Sequence, residues 1–403
     1  MRMRTGTVPG CPIVLELLWL LLPVAAASGW WAGRRTARKP ERGAGGSNRP
    51  PSEYFRGLNY LLNEQQDEAI EVFIRLVEVD SDTIETHLAL GSLFRRRGEV
   101  DRAIRLHQNL IARPNLSKNN RSFALLELAR DYMRAGVLDR AEGLFTELLR
   151  NRTHVVEASR QLLRIYERER EWHAAIETAR KLQRRGGQSM GNVIAHYWCE
   201  LADAERRAGN PKAARNFATR ALSADPQSVR ASILEGDLAM EEGRYRQALR
   251  AYRRVESQDP AFLPEVIDRL LDALERAENP AALAAYIDQL RGRYNGFSVI
   301  QAATRLIRER EGESAAREFL REQVVRRPSL RGLREWVACE LDNASDRSRP
   351  GTQVVLDMLD QLLETKPIYN CQQCGHEGKI LHWQCPSCRE WNTVKPIIGI
   401  EGE

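Results

Sequence analysis

The stretch GEVDRAIR, residues 98–105, is one copy of a pattern that recurs through most of this 403-residue chain. Each copy centres on an alanine, and the equivalent alanines are Ala69, Ala103, Ala141, Ala175, Ala214, Ala248, Ala282 and Ala316. Successive alanines are 34, 38, 34, 39, 34, 34 and 34 residues apart. A firm period of this length indicates a repeat protein, in which neighbouring units bury together what one unit cannot bury alone.

Other positions keep the same register around each alanine. A small residue precedes it by twelve positions at Gly57, Gly91, Ala129, Ala202 and Gly236. A turn glycine precedes it by five at Gly98, Gly136, Gly209 and Gly243. A bulky apolar residue follows it by four at Phe73, Phe145, Tyr252, Tyr286 and Leu320, whereas His107, Ala179 and Ala218 depart from this rule. These positions together resemble the tetratricopeptide repeat, a helix–turn–helix unit of 34 residues. The resemblance covers eight units and predicts an all-α superhelical solenoid, with units seven and eight matching least well.

The first helices of such units are expected to line a concave face. Extrapolating the register, units two to five would present on it Arg95, Arg96, Arg130, Arg134, Arg164, Arg168, Arg206 and Arg207. A row of guanidinium groups can bind acidic protein segments through bidentate hydrogen bonds, which predicts a protein-binding groove. The alternative is an ordinary solvated helix face, and the sequence leaves both open.

Two C-x-x-C motifs near the carboxyl terminus form the chemically most specific pattern in the chain. Their four residues are Cys371, Cys374, Cys385 and Cys388. Each motif lets two thiolates turn toward one point, helped by tight turns at Gly375 and Pro386. Four thiolates close a tetrahedron that suits zinc, or a single iron as in rubredoxin, and leave no open position for a substrate. We therefore predict one zinc or iron ion here, with two disulfides in an exported protein as the alternative.

The residues around these motifs suggest how the small domain is built. Lys379–Gln384 has the aromatic and branched character of a short hairpin strand, and Tyr369, Trp383 and Trp391 are expected to cover a small core that cannot stand alone. His376 and His382 are expected at the surface, since four cysteines complete the ligand shell. The other cysteines, Cys11, Cys199 and Cys339, are far apart in sequence, which favours a reducing compartment.

An apolar stretch at residues 13–33 predicts a membrane anchor. At about 1.5 Å per residue a helix over this stretch would be roughly 31 Å long, enough to cross a bilayer core. Trp30 and Trp31 lie where an interfacial belt belongs, and five basic residues follow at Arg34, Arg35, Arg38, Lys39 and Arg42. This order predicts that everything after the anchor is cytoplasmic. The alternative is a cleaved signal peptide with its basic start at Arg2 and Arg4.

Five segments are predicted along the chain. They are an amino-terminal extension and transmembrane anchor (1–33), a basic juxtamembrane segment and flexible linker (34–53), about eight tetratricopeptide-like repeats (54–330), capping helices (331–366) and a rubredoxin-like metal-binding domain (367–403). The capping helices are expected at Arg331–Asn343 and Gln353–Thr365. A net charge of +6 with arginines scattered along the helices gives only weak support for nucleic-acid binding.

The order of these parts resembles the lipopolysaccharide assembly protein B family of Gram-negative inner membranes. The resemblance runs from residue 14 to residue 400, and its most specific segments are LELL at 15–18, LLLPVAAA at 20–27, GRR at 33–35, GEVDRAIR at 98–105, CPSCR at 385–389 and KPI at 395–397. Family members begin close to the apolar stretch, so residues 1–13 depart from the pattern, and a start at Met1 or at Val14 stays open. In that family the four cysteines of the two motifs bind the metal.

The resemblance implies a non-catalytic regulator of lipopolysaccharide synthesis at the inner membrane. Such a protein would help the membrane protease FtsH degrade the LpxC deacetylase of the lipid A pathway, and would gather other lipopolysaccharide synthesis and transport proteins. Whether the chain forms a homodimer stays open. The residues alone also allow a membrane-anchored scaffold with an electron-transfer module, or a nucleic-acid-binding zinc ribbon that uses Lys379, Arg389 and Lys395. No nucleophile elbow, H-E-x-x-H motif or phosphate loop occurs, so we do not expect an enzyme.

Overall fold

The computed structural model describes residues 52–63, 65–79, 84–187, 189–277, 280–294, 296–342, 345–400 and 402. The predicted anchor at 1–33 and most of the predicted linker at 34–53 lie outside these residues. Within the described part of the chain, no helix combines the length and the apolar character needed to cross a membrane. The chain divides into two compact units, residues 1–72 and 73–403.

The described residues before position 366 are almost entirely helical. The α-helices are α1 Ser52–Leu62, α2 Gln66–Val79, α3 Ile84–Arg97, α4 Val100–Ile111, α5 Lys118–Ala135, α6 Leu138–Arg150, α7 Val155–Glu169, α8 Trp172–Gly186, α9 Gly191–Arg207, α10 Pro211–Ala224, α11 Val229–Glu241, α12 Tyr245–Gln258, α13 Leu263–Ala277, α14 Pro280–Arg293, α15 Phe297–Glu311, α16 Glu313–Arg326, α17 Leu330–Asp342 and α18 Arg349–Thr365. A single 3₁₀ turn, Pro260–Phe262, precedes α13.

The predicted repeats correspond to successive helix pairs, from α1–α2 to α15–α16. The periodic alanine lies on the second helix of each pair, and wherever its side chain is described it is fully buried. The small residue twelve positions earlier lies on the first helix and makes room for the partner helix. A Cβ added to Gly91 would lie 2.4 Å from His107 Nε2, and one added to Gly236 would lie 2.3 Å from the ring of Tyr252. Both rings belong to the position four residues after the alanine, so the register read from the sequence is confirmed, and His107 fills the aromatic position.

In the unit formed by residues 73–403, consecutive helices pack against each other. The first helices of neighbouring pairs also contact each other, for example α3 with α5 and α11 with α13. The first helices therefore line the inner side of the stack. Large side chains such as Phe145, Tyr197 and Tyr252 are fully buried between the helices. Burial of one such side chain stabilises the fold by about 1.5–3 kcal/mol, so stability is distributed along the whole array.

Two helices close the stack before the carboxyl-terminal domain. α17 agrees with the expected helix at 331–343, whereas α18 begins at Arg349, four residues before its expected start at Gln353. Pro350 lies in the first turn of α18, where a missing backbone N–H leaves no intrahelical bond unmade. An expected start at Gln353 leaves Pro350 outside the helix, in the preceding loop.

The carboxyl-terminal domain is a small antiparallel sheet. Its strands are β1 Tyr369–Cys371, β2 Glu377–Gly378 and β3 Val394–Pro396, in the order β2-β1-β3. Tyr369 lies opposite Gly378 on one side and Pro396 on the other. The predicted strand at Lys379–Gln384 is wrong, because β2 ends at Gly378 and Gln384 forms only one isolated bridge, with Trp391.

Candidate metal centre and its docking site

The four motif cysteines converge on one point. Their sulfur atoms all lie within 4.8 Å of one another. Two separations are 3.8 Å, from Cys371 Sγ to Cys388 Sγ, and 3.7 Å, from Cys374 Sγ to Cys385 Sγ. With metal–sulfur bonds of about 2.3 Å, a regular tetrahedron places its sulfurs roughly 3.8 Å apart. The thiols are unbridged, and their spacing fits a four-thiolate metal site rather than disulfides of about 2.05 Å. It suits zinc and iron equally.

Each motif is closed by the same backbone turn. Gly375 N–H donates to the Cys371 carbonyl at 2.9 Å, and Arg389 N–H donates to the Cys385 carbonyl at 3.0 Å. Both donors follow the second cysteine of a motif and have positive φ, 73° at Gly375 and 64° at Arg389. The left-handed residue reverses the chain so that both sulfurs point inward, a conformation that glycine adopts without strain. The turn expected at Gly375 is present. In the second motif, Cys385–Cys388, the residue with positive φ that closes the turn is Arg389.

The environment favours the thiolate at one of these positions. Burial raises the pKa of the Cys371 thiol, but Thr393, whose Oγ1 lies 3.3 Å away, and the backbone amides of the first motif outweigh burial and lower this pKa to about 6. Metal ligation requires the deprotonated thiol. His376 is partly exposed and His382 is exposed, and neither belongs to the described cluster of potential ligands.

The metal-binding domain is docked on the inner side of the repeats through Trp391. Its ring stacks on His196 with 5.0 Å between centroids and meets Tyr197 edge-on at 5.8 Å. Its Nε1–H donates to Glu167 Oε1 at 2.9 Å, and the same oxygen accepts from the Tyr197 hydroxyl at 2.6 Å. Glu167, on α7, thus joins the domain to both α7 and α9.

Further along the stack, Trp383 and Tyr369 make equivalent contacts. Trp383 stacks on Phe262 with 5.4 Å between centroids, and the Tyr369 hydroxyl donates to Glu265 Oε1 at 2.6 Å. Lys395 Nζ lies 2.8 Å from Asp259 Oδ2. The expectation that Tyr369, Trp383 and Trp391 cover the small core of the metal-binding domain is therefore wrong for the two tryptophans, which pack into the repeat cores instead. This use of Trp383 also explains why its segment does not form a strand.

The receptor side of this interface was not predicted from the sequence. Its members on the repeats are Glu167, His196, Arg230, Asp259, Phe262 and Glu265. They lie more than a hundred residues before the side chains that they meet, and no local pattern links the two sets. Burial lowers the pKa of His196 to about 3, with help from Arg230, so the ring that stacks on Trp391 is neutral.

Comparison with known proteins supports both the metal-binding domain and the helical repeats. Residues 369–396 match a family model described as a rubredoxin metal binding domain, and residues 86–120, 126–189 and 205–268 match tetratricopeptide repeat models. The chain is 37% identical over 390 residues to lipopolysaccharide assembly protein B of Escherichia coli K12, covering 96% of this chain and 100% of that protein. It belongs to the lipopolysaccharide assembly protein B family.

Other known proteins are similar to the chain to different degrees. The Haemophilus influenzae lipopolysaccharide assembly protein B is 35% identical over 399 residues, covering 96% of this chain and 100% of that protein. The crystal structure of the carboxyl-terminal part of a tetratricopeptide repeat protein from Cytophaga hutchinsonii is 15% identical, with a TM-score of 0.38, and covers 66% of this chain and 99% of that one. The identification therefore depends on the two full-length relatives.

In this member of the lipopolysaccharide assembly protein B family, three of the eight arginines of the predicted groove are paired with carboxylates on a neighbouring first helix. Arg95, Arg130 and Arg206 form ion pairs that join neighbouring first helices: Arg95 with Glu127 at 2.6 Å and Asp131 at 2.7 Å, Arg130 with Glu157 at 3.1 Å, and Arg206 with Glu241 and Asp237. Arg207 Nε donates to the Asp203 carbonyl. Arg96, Arg134, Arg164 and Arg168 are exposed and have no carboxylate within 4 Å among the described residues.

The paired arginines have a structural role that the sequence did not reveal. Glu127 receives Arg95 and Arg130, and its pKa is lowered because these two cations and Ser92 outweigh the opposing effect of burial. Asp131 also contacts buried His107, whose Nδ1 lies 2.5 Å from Asp131 Oδ2. This network links α3, α4 and α5, so only the exposed arginines remain free to meet a partner.

Proposed function

We propose that this chain is a membrane-anchored, non-catalytic adaptor that limits lipopolysaccharide synthesis. It captures the LpxC deacetylase and presents it to the membrane protease FtsH, and it helps to organise other lipopolysaccharide synthesis and transport proteins at the inner membrane. The observation that carries the proposal is full-length similarity to two proteins named lipopolysaccharide assembly protein B. The helical repeats support it, because stacked helices offer an extended surface for protein partners.

Each part of the chain has a task in this proposal. The segment 1–33 spans the inner membrane and leaves the repeats and the carboxyl terminus on the cytoplasmic side. Tethering near a membrane protease raises the effective concentration of a captured substrate. The four-cysteine site holds one iron or zinc ion, which keeps the carboxyl-terminal domain folded. That domain, docked from Glu167 to Glu265, fixes the curvature of the central repeats.

Substrate capture is assigned to the inner side of the earlier repeats. Arg96, Arg134, Arg164 and Arg168 are exposed on the first helices α3, α5 and α7, and the proposal places them on that side. Exposed guanidinium groups bind carboxylates in a bidentate geometry without first breaking an internal ion pair. The paired arginines Arg95, Arg130 and Arg206 act instead by joining the helices on which this surface lies.

The test is the half-life of LpxC in cells with and without this protein, followed after translation is stopped. The proposal expects the half-life to lengthen several-fold on depletion, and to stay long when only a form lacking residues 1–33 is supplied. An unchanged half-life would favour a membrane scaffold without an adaptor role.

Charge reversal then tests the surface itself. The triple variant Arg134→Glu, Arg164→Glu, Arg168→Glu should weaken LpxC capture by about tenfold or more, since each lost charged hydrogen bond is worth roughly 1.5–3 kcal/mol. The triple variant Arg105→Glu, Arg246→Glu, Arg250→Glu is the matched control, because it reverses three charges at side chains that are exposed on second helices, α4 and α12. Equal capture by the triple variant and the control would leave these arginines as solvated side chains.

A further inference from the structure

Two cavities lie next to each other along one edge of the stack, where second helices end and first helices begin. The first has a volume of about 560 Å³ and is formed by the ends of α6 and α8 and the start of α7. The second has a volume of about 630 Å³ and is formed by the ends of α8 and α10 and the start of α9. Arg184 lines both cavities, so they are adjacent sites one repeat apart.

Both cavities are lined by cations. The first contains Arg150, Lys181, Arg184 and Arg185, and the second contains Arg180, Arg184 and Arg220. Among the described residues, the one carboxylate within 4 Å of these six side chains is exposed Glu177, at 3.9 Å from Lys181. Arg180 and Arg220 lie over the ring of Trp198, at 5.8 Å and 5.1 Å from its centroid. The cluster is thus not neutralised from within, unlike the ion-paired arginines of the first helices, and its mutual repulsion is relieved when an anion binds.

The backbone at the same places also favours an anion. α7 and α9 begin at the two cavities, and their N-cap residues, His154 and Met190, form no side-chain hydrogen bond to the first turn. The neighbouring first helices α5 and α11 are capped by Ser117 and Ser228. Uncapped N–H groups at a helix start attract negative charge through hydrogen bonding and the helix dipole.

A serine hydroxyl adds a hydrogen-bonding group to the first cavity. Ser159 lines this cavity and is only 1% exposed. Within the described part of the chain its side chain forms no hydrogen bond to another residue, so its hydroxyl can take a partner in the cavity. A phosphate oxygen in the cavity would supply that partner.

We propose that these two cavities form a binding site for phosphate groups, either of a soluble phosphorylated compound or of a lipid headgroup. The guanidinium groups of Arg150, Arg184 and Arg185 match phosphate bidentately, and Lys181 supplies a further point charge. A phosphate carries close to two negative charges near neutral pH, which suits a cluster of this size better than a single carboxylate does. The turn glycines lie at one end of each helix pair, and the proposed site lies at the other end. The phosphate-binding proposal does not depend on the proposed adaptor role.

The experiment uses the full chain in phosphatidylcholine nanodiscs, with calorimetric titration of inorganic pyrophosphate. The wild-type chain should bind pyrophosphate, and Arg184→Gln should weaken binding by about tenfold or more, because Arg184 serves both cavities. Arg105→Gln is the control, since it removes the same charge from an exposed arginine of α4 that lines neither cavity. Arg185→Gln provides a second cavity variant, and thermal melting of each variant checks that the fold is retained.

A second arm distinguishes the source of the phosphate. The titration is repeated in nanodiscs that contain phosphatidic acid. A weaker apparent affinity for pyrophosphate there would assign the site to lipid headgroups, whereas an unchanged affinity would assign it to a soluble ligand. Absence of pyrophosphate binding by the wild-type chain, or equal weakening by Arg184→Gln and Arg105→Gln, would overturn the proposal.

Discussion

The helical repeats and the metal-binding domain are stabilised in different ways. The repeats from α5 to α15 contribute several fully buried apolar side chains to cores shared between neighbouring repeats. In the metal-binding domain the buried cluster consists of Cys371, Cys385 and Val394, so two of its three members are metal-site thiols. Its two tryptophans belong instead to the cores of the repeats. A domain of this size cannot bury enough apolar surface to fold alone, and it depends on a metal and on a neighbour.

Because of this difference, loss of the metal and substitutions in the repeats should affect different parts of the chain. The repeats should tolerate loss of the metal, because none of their cores contains a ligand. The metal-binding domain should tolerate changes in any single repeat that leave Glu167, His196 and Phe262 in place. The two parts can affect each other's stability only at the interface, because Trp383 and Trp391 of the metal-binding domain pack into the cores of the repeats.

The largest effect is expected from removing a metal ligand. Cys388→Ser should abolish stoichiometric metal binding and unfold residues 369–396, because structural metal binding contributes about 10 kcal/mol to the folding of such sites. Elemental analysis and limited proteolysis would measure this, with helical circular dichroism nearly unchanged. Cys199→Ala is the control, since Cys199 is buried in α9 away from the site. Retention of one metal ion per chain by Cys388→Ser would contradict the four-thiolate assignment.

A smaller effect is expected from breaking the interface while leaving the ligands intact. Trp391→Ala removes the stacking on His196 and the hydrogen bond to Glu167, and should weaken docking by about 3–5 kcal/mol. The domain should keep its metal but exchange amide hydrogens faster, together with the ends of α7 and α9. Ile380→Ala, at a side chain that is 69% exposed, should change neither. If Trp391→Ala instead lost its metal, docking and metal binding could not be treated as separable.

The smallest of the three effects concerns close packing inside a repeat. Gly236→Ala should destabilise the chain by about 1–3 kcal/mol, because the new Cβ would overlap the ring of Tyr252. Gly143→Ala provides the comparison, since nothing lies within 4 Å of a Cβ at that helical position, and alanine there should stabilise by up to about 1 kcal/mol. Thermal unfolding of both variants measures the difference. Equal melting temperatures would mean that the helix pair relaxes to accept the extra methyl.

The sequence predicted the parts that depend on local spacing. The alanine period and the glycines twelve residues earlier predicted the helix pairs, and the C-x-x-C spacing predicted the cluster of sulfurs. Two local predictions failed. Lys379–Gln384 is not a strand, because Trp383 turns away to Phe262, and α18 starts early, because Pro350 is accepted in a first turn.

The sequence by itself determined the helical repeat, the turns around the metal ligands and the family, because each of these is encoded by residues at fixed short separations. Only the tertiary structure decided which arginines are paired, which cations line the two cavities, and where the metal-binding domain docks. These features depend on side chains from different repeats, as when Glu167 meets Trp391 across 224 positions of sequence. The packing of the stacked helices determines which side chains meet, and the periodicity of the sequence does not predict these contacts.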